Sequence, residues 1–364
     1  MDVLSIMDVE QVLSYIKSTM KSDTKENVGS LLLVFPCEIT DFLIKKLFTS
    51  LLNRLNFSKL VRLDVLFFDK RHCLSKELED FLFNLINLTS IKLEGCVPNN
   101  LLNIFSHKIS SGRFKFLNNI SIIDAYNYSQ KFENKIASNE IEKLAVSLEN
   151  YPIPLKHLDL NLHSLKGGEF AFLLSKILVR HNLISLSICG DWRKDGIKRL
   201  RELVSLQSQL KEIKIMHINS GKNGIYGGDD ISYTDEAFQE VPIFLKNLPE
   251  LESITFSFGY GIKLSTFKTL IKQCLISSTK LEKLSLEGFL SEEHLSYLIE
   301  IPYLNFSTLS LNNIINTQGQ SMNHMYHKIA LAHKNLDVQI NERKNKLTLE
   351  NKAAYELRDE TTAN

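Results

Sequence analysis

The chain is 364 residues long, with 44% hydrophobic residues, 23% charged residues and a formal net charge of +1. That balance suits a folded chain with a large core. Its interspersed, nearly neutral charge excludes a protein whose main work is gripping the phosphate backbone of nucleic acid. No stretch reaches the roughly 20 apolar residues that a membrane-spanning helix needs.

The opening segment, MDVLSIMDVEQVLSYI, carries acidic residues and lacks the basic flank of a signal peptide. Residues 2–22 read as an amphipathic helix, and 1–27 as an N-terminal capping unit. From Val28 onward one pattern dominates, an apolar triplet spaced L-x-x-L-x-L. Triplets start at Val28, Leu60, Leu88, Leu117, Leu155, Leu183, Leu210, Leu251, Leu281 and Phe306, with an eleventh suggested by Val338 and Ile340. Most starts lie 25 to 32 residues apart, an interval that chance alternation does not hold along a whole chain.

The last two members of each triplet are two residues apart, so both point to one side of a short strand. The first member, three residues earlier, fills the bend into that strand. Between triplets lie runs with apolar residues at three- and four-residue spacing, the signature of helices: SKELEDFLFNLI, GGEFAFLLSKILV, KRLRELVSL, LSTFKTLIKQCL and SEEHLSYLIEI. Ser75, Asn139 and Ser291 are the expected caps. One strand and one helix of this size cannot bury their apolar faces alone; stacking the units does it.

This pattern resembles the leucine-rich repeat family, and the period near 28 with a full helix per repeat is similar to its ribonuclease-inhibitor-like subclass. The resemblance implies an α/β solenoid (horseshoe) over residues 28–341, with ten to eleven repeats, parallel strands on the concave face and helices on the convex face. The chain departs from the family at the Asn or Cys three positions after the last strand leucine. Only Cys96 fits clearly; elsewhere that place holds residues such as Ala125, His163, Asp191 or Gly259.

Two intervals break the period, Leu117 to Leu155 and Leu210 to Leu251. Their surplus falls after a strand and before a helix, so both insertions must project from one rim. The same rim collects aromatics: Phe67, Phe68, Tyr126, Tyr128, Trp192, Tyr226 and Tyr260. Trp and Tyr are the residues most enriched at binding hot spots. His157 and Asp159 point outward from the fifth triplet strand. Together these nine residues are the candidate partner-binding site.

Chemistry-bearing signals are weaker. Cys37, Cys73, Cys96, Cys189 and Cys274 are odd in number and never paired as C-x-x-C, which fits neither zinc ribbons nor disulfide frameworks and suits a reducing cytoplasm. Cys-Gly-Asp at Cys189 matches the spacing of a secreted bacterial ubiquitin-ligase family, yet it directly follows a repeat strand. His324, His327 and His333 share one helix without the geometry zinc wants. FPCEITDFLIKKLF partly matches an F-box helix, and GKNGIYGGDD lacks the phosphate-cradling frame. No cofactor and no metal are expected.

The functional expectation is a monomeric, non-enzymatic scaffold that binds a protein partner, does not bind nucleic acid and has no membrane span. Residues 342–364 turn polar, with Glu350, Glu356 and Glu360. That tail and this composition are similar to leucine-rich repeat effectors that Legionella-like intracellular bacteria send through a type IV secretion system. The resemblance implies secretion into a host cytoplasm and a eukaryotic host partner. A ubiquitin-ligase substrate receptor and a regulator of a small GTPase are the alternatives.

Overall fold

The computed structural model describes residues 3–6, 8–19, 25–35, 39–67, 76–95, 97, 99–124, 138–191, 194–217, 230–258, 261–277, 280–302, 304, 306–315, 322–334 and 336–341. The strands are β1 (Val3–Ile6), β2 (Glu26–Asn27), β3 (Ser30–Phe35), β4 (Leu55–Asn56), β5 (Arg62–Phe67), β6 (Ser90–Gly95) and β7 (Asn119–Asp124), followed by β8 (His157–Lys166), β9 (Ser185–Asp191), β10 (Glu212–His217), β11 (Ser253–Phe258), β12 (Lys283–Phe289), β13 (Thr308–Ile315) and β14 (Asp337–Asn341). The helices are α1 (Val9–Thr19), α2 (Asp41–Arg54), α3 (Lys76–Phe83), α4 (Asn99–Ser110), α5 (Ser138–Glu149) and α6 (Gly167–Arg180), then α7 (Lys194–Val204), α8 (Asp230–Leu245), α9 (Leu264–Ser277), α10 (Glu292–Glu300) and α11 (Asn323–Ala332).

Among the described residues, twelve strands form one parallel sheet in chain order, from β1 at one end to β14 at the other; β2 and β4 pair separately. A helix separates each sheet strand from the next, so every parallel crossover has its connecting element. Helices pack 8–10 Å apart while strands sit about 4.8 Å apart. The helical layer is therefore the wider, and the sheet bends so that its free face is the inner one. This is a leucine-rich-repeat solenoid.

The register explains the sequence pattern. Leu31 sits opposite Leu63, Leu63 opposite Ile91, and the row continues through Ile120, Leu158, Leu186, Ile213, Ile254, Leu284 and Leu309 to Val338. Every member of the ten triplets from Val28 to Leu311 is at most 5% exposed. At about 1.5–3 kcal/mol for each buried aliphatic side chain, this ladder is the main reason the units stack.

The amino-terminal segment differs from the helix expected over 2–22. Val3–Ile6 is a strand, paired with β3 so that Leu4 meets Leu31 and Ile6 meets Leu33. Leu4 and Ile6 alternate in the triplet phase, and bonding to β3 satisfies their backbone as a short helix turn would not. Helix α1 then begins at Val9, with Asp8 accepting from the Gln11 N–H at 2.8 Å. Asn139 is likewise not a cap: α5 starts one residue earlier, at Ser138. Ser291 does stand before α10, where the His294 ring closes back onto it.

Polar residues stitch the edge where each helix turns into the next strand. From Val28 to Leu281, the carbonyl after each first triplet residue accepts two N–H groups from the next repeat: Val61 from Thr89 and Ser90, Asn118 from Lys156 and His157, Ile184 from Lys211 and Glu212. Side chains satisfy the helix ends. Tyr151 Oη donates to the Phe114 and Leu117 carbonyls at 2.8 and 3.0 Å. Gln207 donates to Leu178 O and accepts from the Leu183 N–H, both at 2.8 Å. His181 Nε2 meets Leu148 O at 2.9 Å and its Nδ1 accepts from the Leu155 N–H at 3.2 Å, while His333 Nε2 meets Leu298 O at 2.7 Å.

Candidate functional site: the inner face of the sheet

Because side chains alternate along a strand, the residues between the buried ones form outward rows that cross the whole sheet. One row runs Asp64, Lys92, Ser121, Asp159, Ser187, Lys214, Thr255, Ser285 and Ser310. Its neighbour towards the strand ends runs Val34, Leu66, Glu94, Ile123, Asn161, Cys189, Met216, Ser257, Glu287 and Asn312.

Chemistry changes along these rows. At the amino-terminal end Leu32, Val34 and Leu66 put a partly buried apolar patch on the inner face. Ion pairs follow: Arg62 clamps Asp64 through two nitrogens, at 3.0 and 2.7 Å to Oδ2, and Lys92 meets Glu94 at 2.6 Å. Towards the carboxyl-terminal end hydroxyls take over, with Ser285 and Ser310 almost fully covered. Ser121 donates to Asp159 at 3.0 Å, and Lys214 reaches across β11 to Glu287 at 3.4 Å.

No family model matches this chain, and no curated protein matches it. The solved structures similar in backbone include the following two. The leucine-rich repeat-containing protein LegL7 from Legionella pneumophila matches at 13% identity, with a TM-score of 0.44 over 90% of this chain and 97% of its own. The complex of Rad7 and Elc1 in yeast matches at 14% identity, with a TM-score of 0.36 over 89% and 83%.

Of the nine candidate partner-binding residues, His157 and Asp159 stand on β8 facing the inner side, each partly buried. Phe67 does not belong to a contact surface. It is 1% exposed and stacks on Phe35 with ring centroids 5.3 Å apart. It lies two residues after Val65, so the strand alternation that buries Val65 buries Phe67 as well. Phe68, Tyr126, Tyr128, Trp192, Tyr226 and Tyr260 lie outside the described residues. The two long intervals fall where expected: β7 ends at Asp124 and α5 begins at Ser138, and β10 ends at His217 and α8 begins at Asp230.

Cys189 occupies an outward row position yet is fully covered. Burial pushes its thiol well above the ordinary range; Lys214 opposes that, and Asp159 and Glu287 add to it. A thiol held protonated is a poor nucleophile. The three histidines near the carboxyl end do not converge: His324 meets Glu292 at 3.1 Å, while His333 is engaged with Leu298. Outward positions missed by sequence reading, such as Cys189, Met216 and Asn312, were available by carrying the two-residue alternation one step beyond each triplet.

Proposed function

We propose that this protein is a non-enzymatic scaffold that holds a protein partner against the inner face of its sheet and the adjoining strand-to-helix rim. The observation that carries this reading is the continuity of the face. Twelve parallel strands in register present side chains already restrained by one another, through Arg62–Asp64, Lys92–Glu94 and Lys214–Glu287. A partner docking there finds its contacts pre-organised, so little ordering entropy opposes binding. The sequence resemblance of the tail around Glu350, Glu356 and Glu360 supports an effector acting on a eukaryotic host protein.

Capture from eukaryotic cell lysate tests this with three versions of the full chain: wild type, Ser187→Arg with Ser257→Arg on the inner face, and Trp192→Ala with Tyr226→Ala on the rim. A protein retained by wild type and lost by the inner-face variant places the contact on the sheet. Loss only in the rim variant moves it to the rim. Equal retention by all three, each shown folded by circular dichroism, sinks the proposal.

A further inference from the structure

The inner face has two columns of small side chains flanked by longer ones. Ser185, Ser187 and Cys189 on β9 lie between β8 and β10; Ser253, Thr255 and Ser257 on β11 lie between β10 and β12. With strands about 4.8 Å apart, each trough is about 10 Å from wall to wall at the backbone.

The two troughs are filled differently. An ammonium group of the protein itself crosses the β11 trough, where Lys214 bridges to Glu287 over the short β11 side chains. The β9 trough has carboxylates on both walls, Asp159 and Glu212, set diagonally across Ser185 and Ser187. Lys214 stands on the wall opposite Asp159 but is turned away to Glu287. Among the described residues, no cation lies within ion-pair distance of Asp159 or Glu212, and Asp159 accepts one hydrogen bond, from Ser121. At the end of the same wall, Asn161 Oδ1 is sealed from water and has no hydrogen-bond partner, an unmet acceptor of the kind a folded protein rarely keeps.

Lys214 in the neighbouring trough thus shows the group that the β9 trough lacks. We infer that the β9 trough receives a basic side chain of the partner, arginine or lysine carried on an extended segment, placed between the Asp159 and Glu212 carboxylates. This rests on the reading of the inner face as a docking surface and names the chemistry of what docks. The small floor admits a polypeptide backbone close to the sheet, while the two walls select for positive charge.

The test uses the full chain and a fluorescent Gly-Arg-Gly-Arg-Gly-Arg peptide, titrated by anisotropy at low ionic strength. Saturable binding is expected, weakening as salt rises. Asp159→Asn with Glu212→Gln is expected to weaken it about fivefold to tenfold, as loss of two partly exposed charge contacts implies. Glu250→Gln with Glu282→Gln removes the same net charge from the helix-to-strand edge and is expected to leave binding within about twofold. Lys214→Met removes the one positive wall group and is expected to tighten it. Overturning results are no peptide binding by wild type, equal weakening by both double variants, or no weakening by the trough variant once its fold is verified by melting. If the peptide fails while a lysate protein is still lost on Ser187→Arg with Ser257→Arg, docking on the inner face stands and only the basic-segment assignment falls.

Discussion

At the edge where helices turn into strands, the repeats are tied to one another atom by atom; at the opposite edge, where strands run into helices, they are free to differ. The first edge carries the backbone bonds from each repeat to the next and the staples of Tyr151, His181, Gln207 and His333. The second carries both long intervals, 125–137 and 218–229. One edge sets register and thereby keeps twelve strands in phase. The other accepts length and sequence change without disturbing that phase, which makes it the place where specificity varies cheaply.

The sharpest way to break this contrast is a matched pair of glycine substitutions. Gly95 ends β6 on the variable edge with φ at +91°, and an added Cβ would lie 2.0 Å from the Phe67 carbonyl oxygen. Gly112, after α4 on the stitched edge, has φ at +66° with nothing within 4 Å of the added atom. Gly95→Ala therefore combines left-handed strain with a backbone clash and is expected to cost about 4 kcal/mol. Gly112→Ala meets strain alone, about 1 kcal/mol. Denaturant unfolding of both variants measures the difference. Equal costs would mean that the variable edge yields even where its strands are still in register.

Next in size is the loss of a staple. Gln207→Leu leaves the Leu183 N–H and the Leu178 carbonyl buried without partners. Stranding two buried backbone groups is expected to cost about 3 kcal/mol. Arg199→Leu, whose guanidinium pairs with Glu202 on an exposed helix surface, is expected to cost less than about 0.5 kcal/mol. If the two variants unfold at the same denaturant concentration, the stitched edge is not what holds the stack.

Two buried histidines, the staple His181 and His294 at the start of α10, give a smaller, pH-dependent effect. Burial lowers His181 below its ordinary value of 6.5, with the Leu148 carbonyl opposing the shift and Arg180 adding to it. His294 is lowered by burial too, against the opposing Ile262 carbonyl and Glu293. Each ring accepts a backbone N–H at Nδ1, from Leu155 and Ser291 respectively, and protonation there destroys that bond. With folded values below the unfolded one, the unfolded state takes up protons before the native state does as pH falls past 6.5. Stability is then complete above about pH 6.5 and declines below it. Thermal melting from pH 7.5 to 5 is expected to show the midpoint falling, and His181→Gln to remove part of the slope. A midpoint flat across that range would show that these rings are not held neutral.

These contrasts also mark what was legible from sequence. The triplets were, because a period-two pattern tied to a burial face leaves only one register, and the ten full triplets are buried as read. The staples were not, because one structural job is done by tyrosine, glutamine or histidine, so no letter recurs. Their signal is position: Tyr151, His181 and Gln207 stand two to four residues before the next first leucine. Phe67 was misplaced because it was read with the adjacent Phe68 as one aromatic patch, although it lies two residues after Val65 and shares that residue's burial. Strand β1 was hidden by shortness, four residues being too few for a period to show against the helix pattern that follows. Of the inner face, the outward rows were readable, but the pairing of Lys214 with Glu287 rather than Asp159 depends on side-chain direction across two strands.

The smallest expected effect is on the variable edge itself. Between β9 and α7 the chain passes from strand to helix with only residues 192 and 193 intervening, whereas 218–229 separate β10 from α8. A short link is therefore sterically sufficient at this edge. Replacing 218–229 by Gly-Ser-Gly-Ser shortens the connection about threefold, and loop-closure entropy then changes stability by less than about 1 kcal/mol. Inserting the same four residues after Gln207 has the opposite character, because the Lys211 and Glu212 N–H groups must still reach Ile184 O at 2.9 and 3.1 Å. That insertion is expected to lower the melting midpoint severalfold more than the deletion does. A deletion as damaging as the insertion would mean that the 218–229 segment is structural, and that the freedom of this edge is confined to the shorter turns.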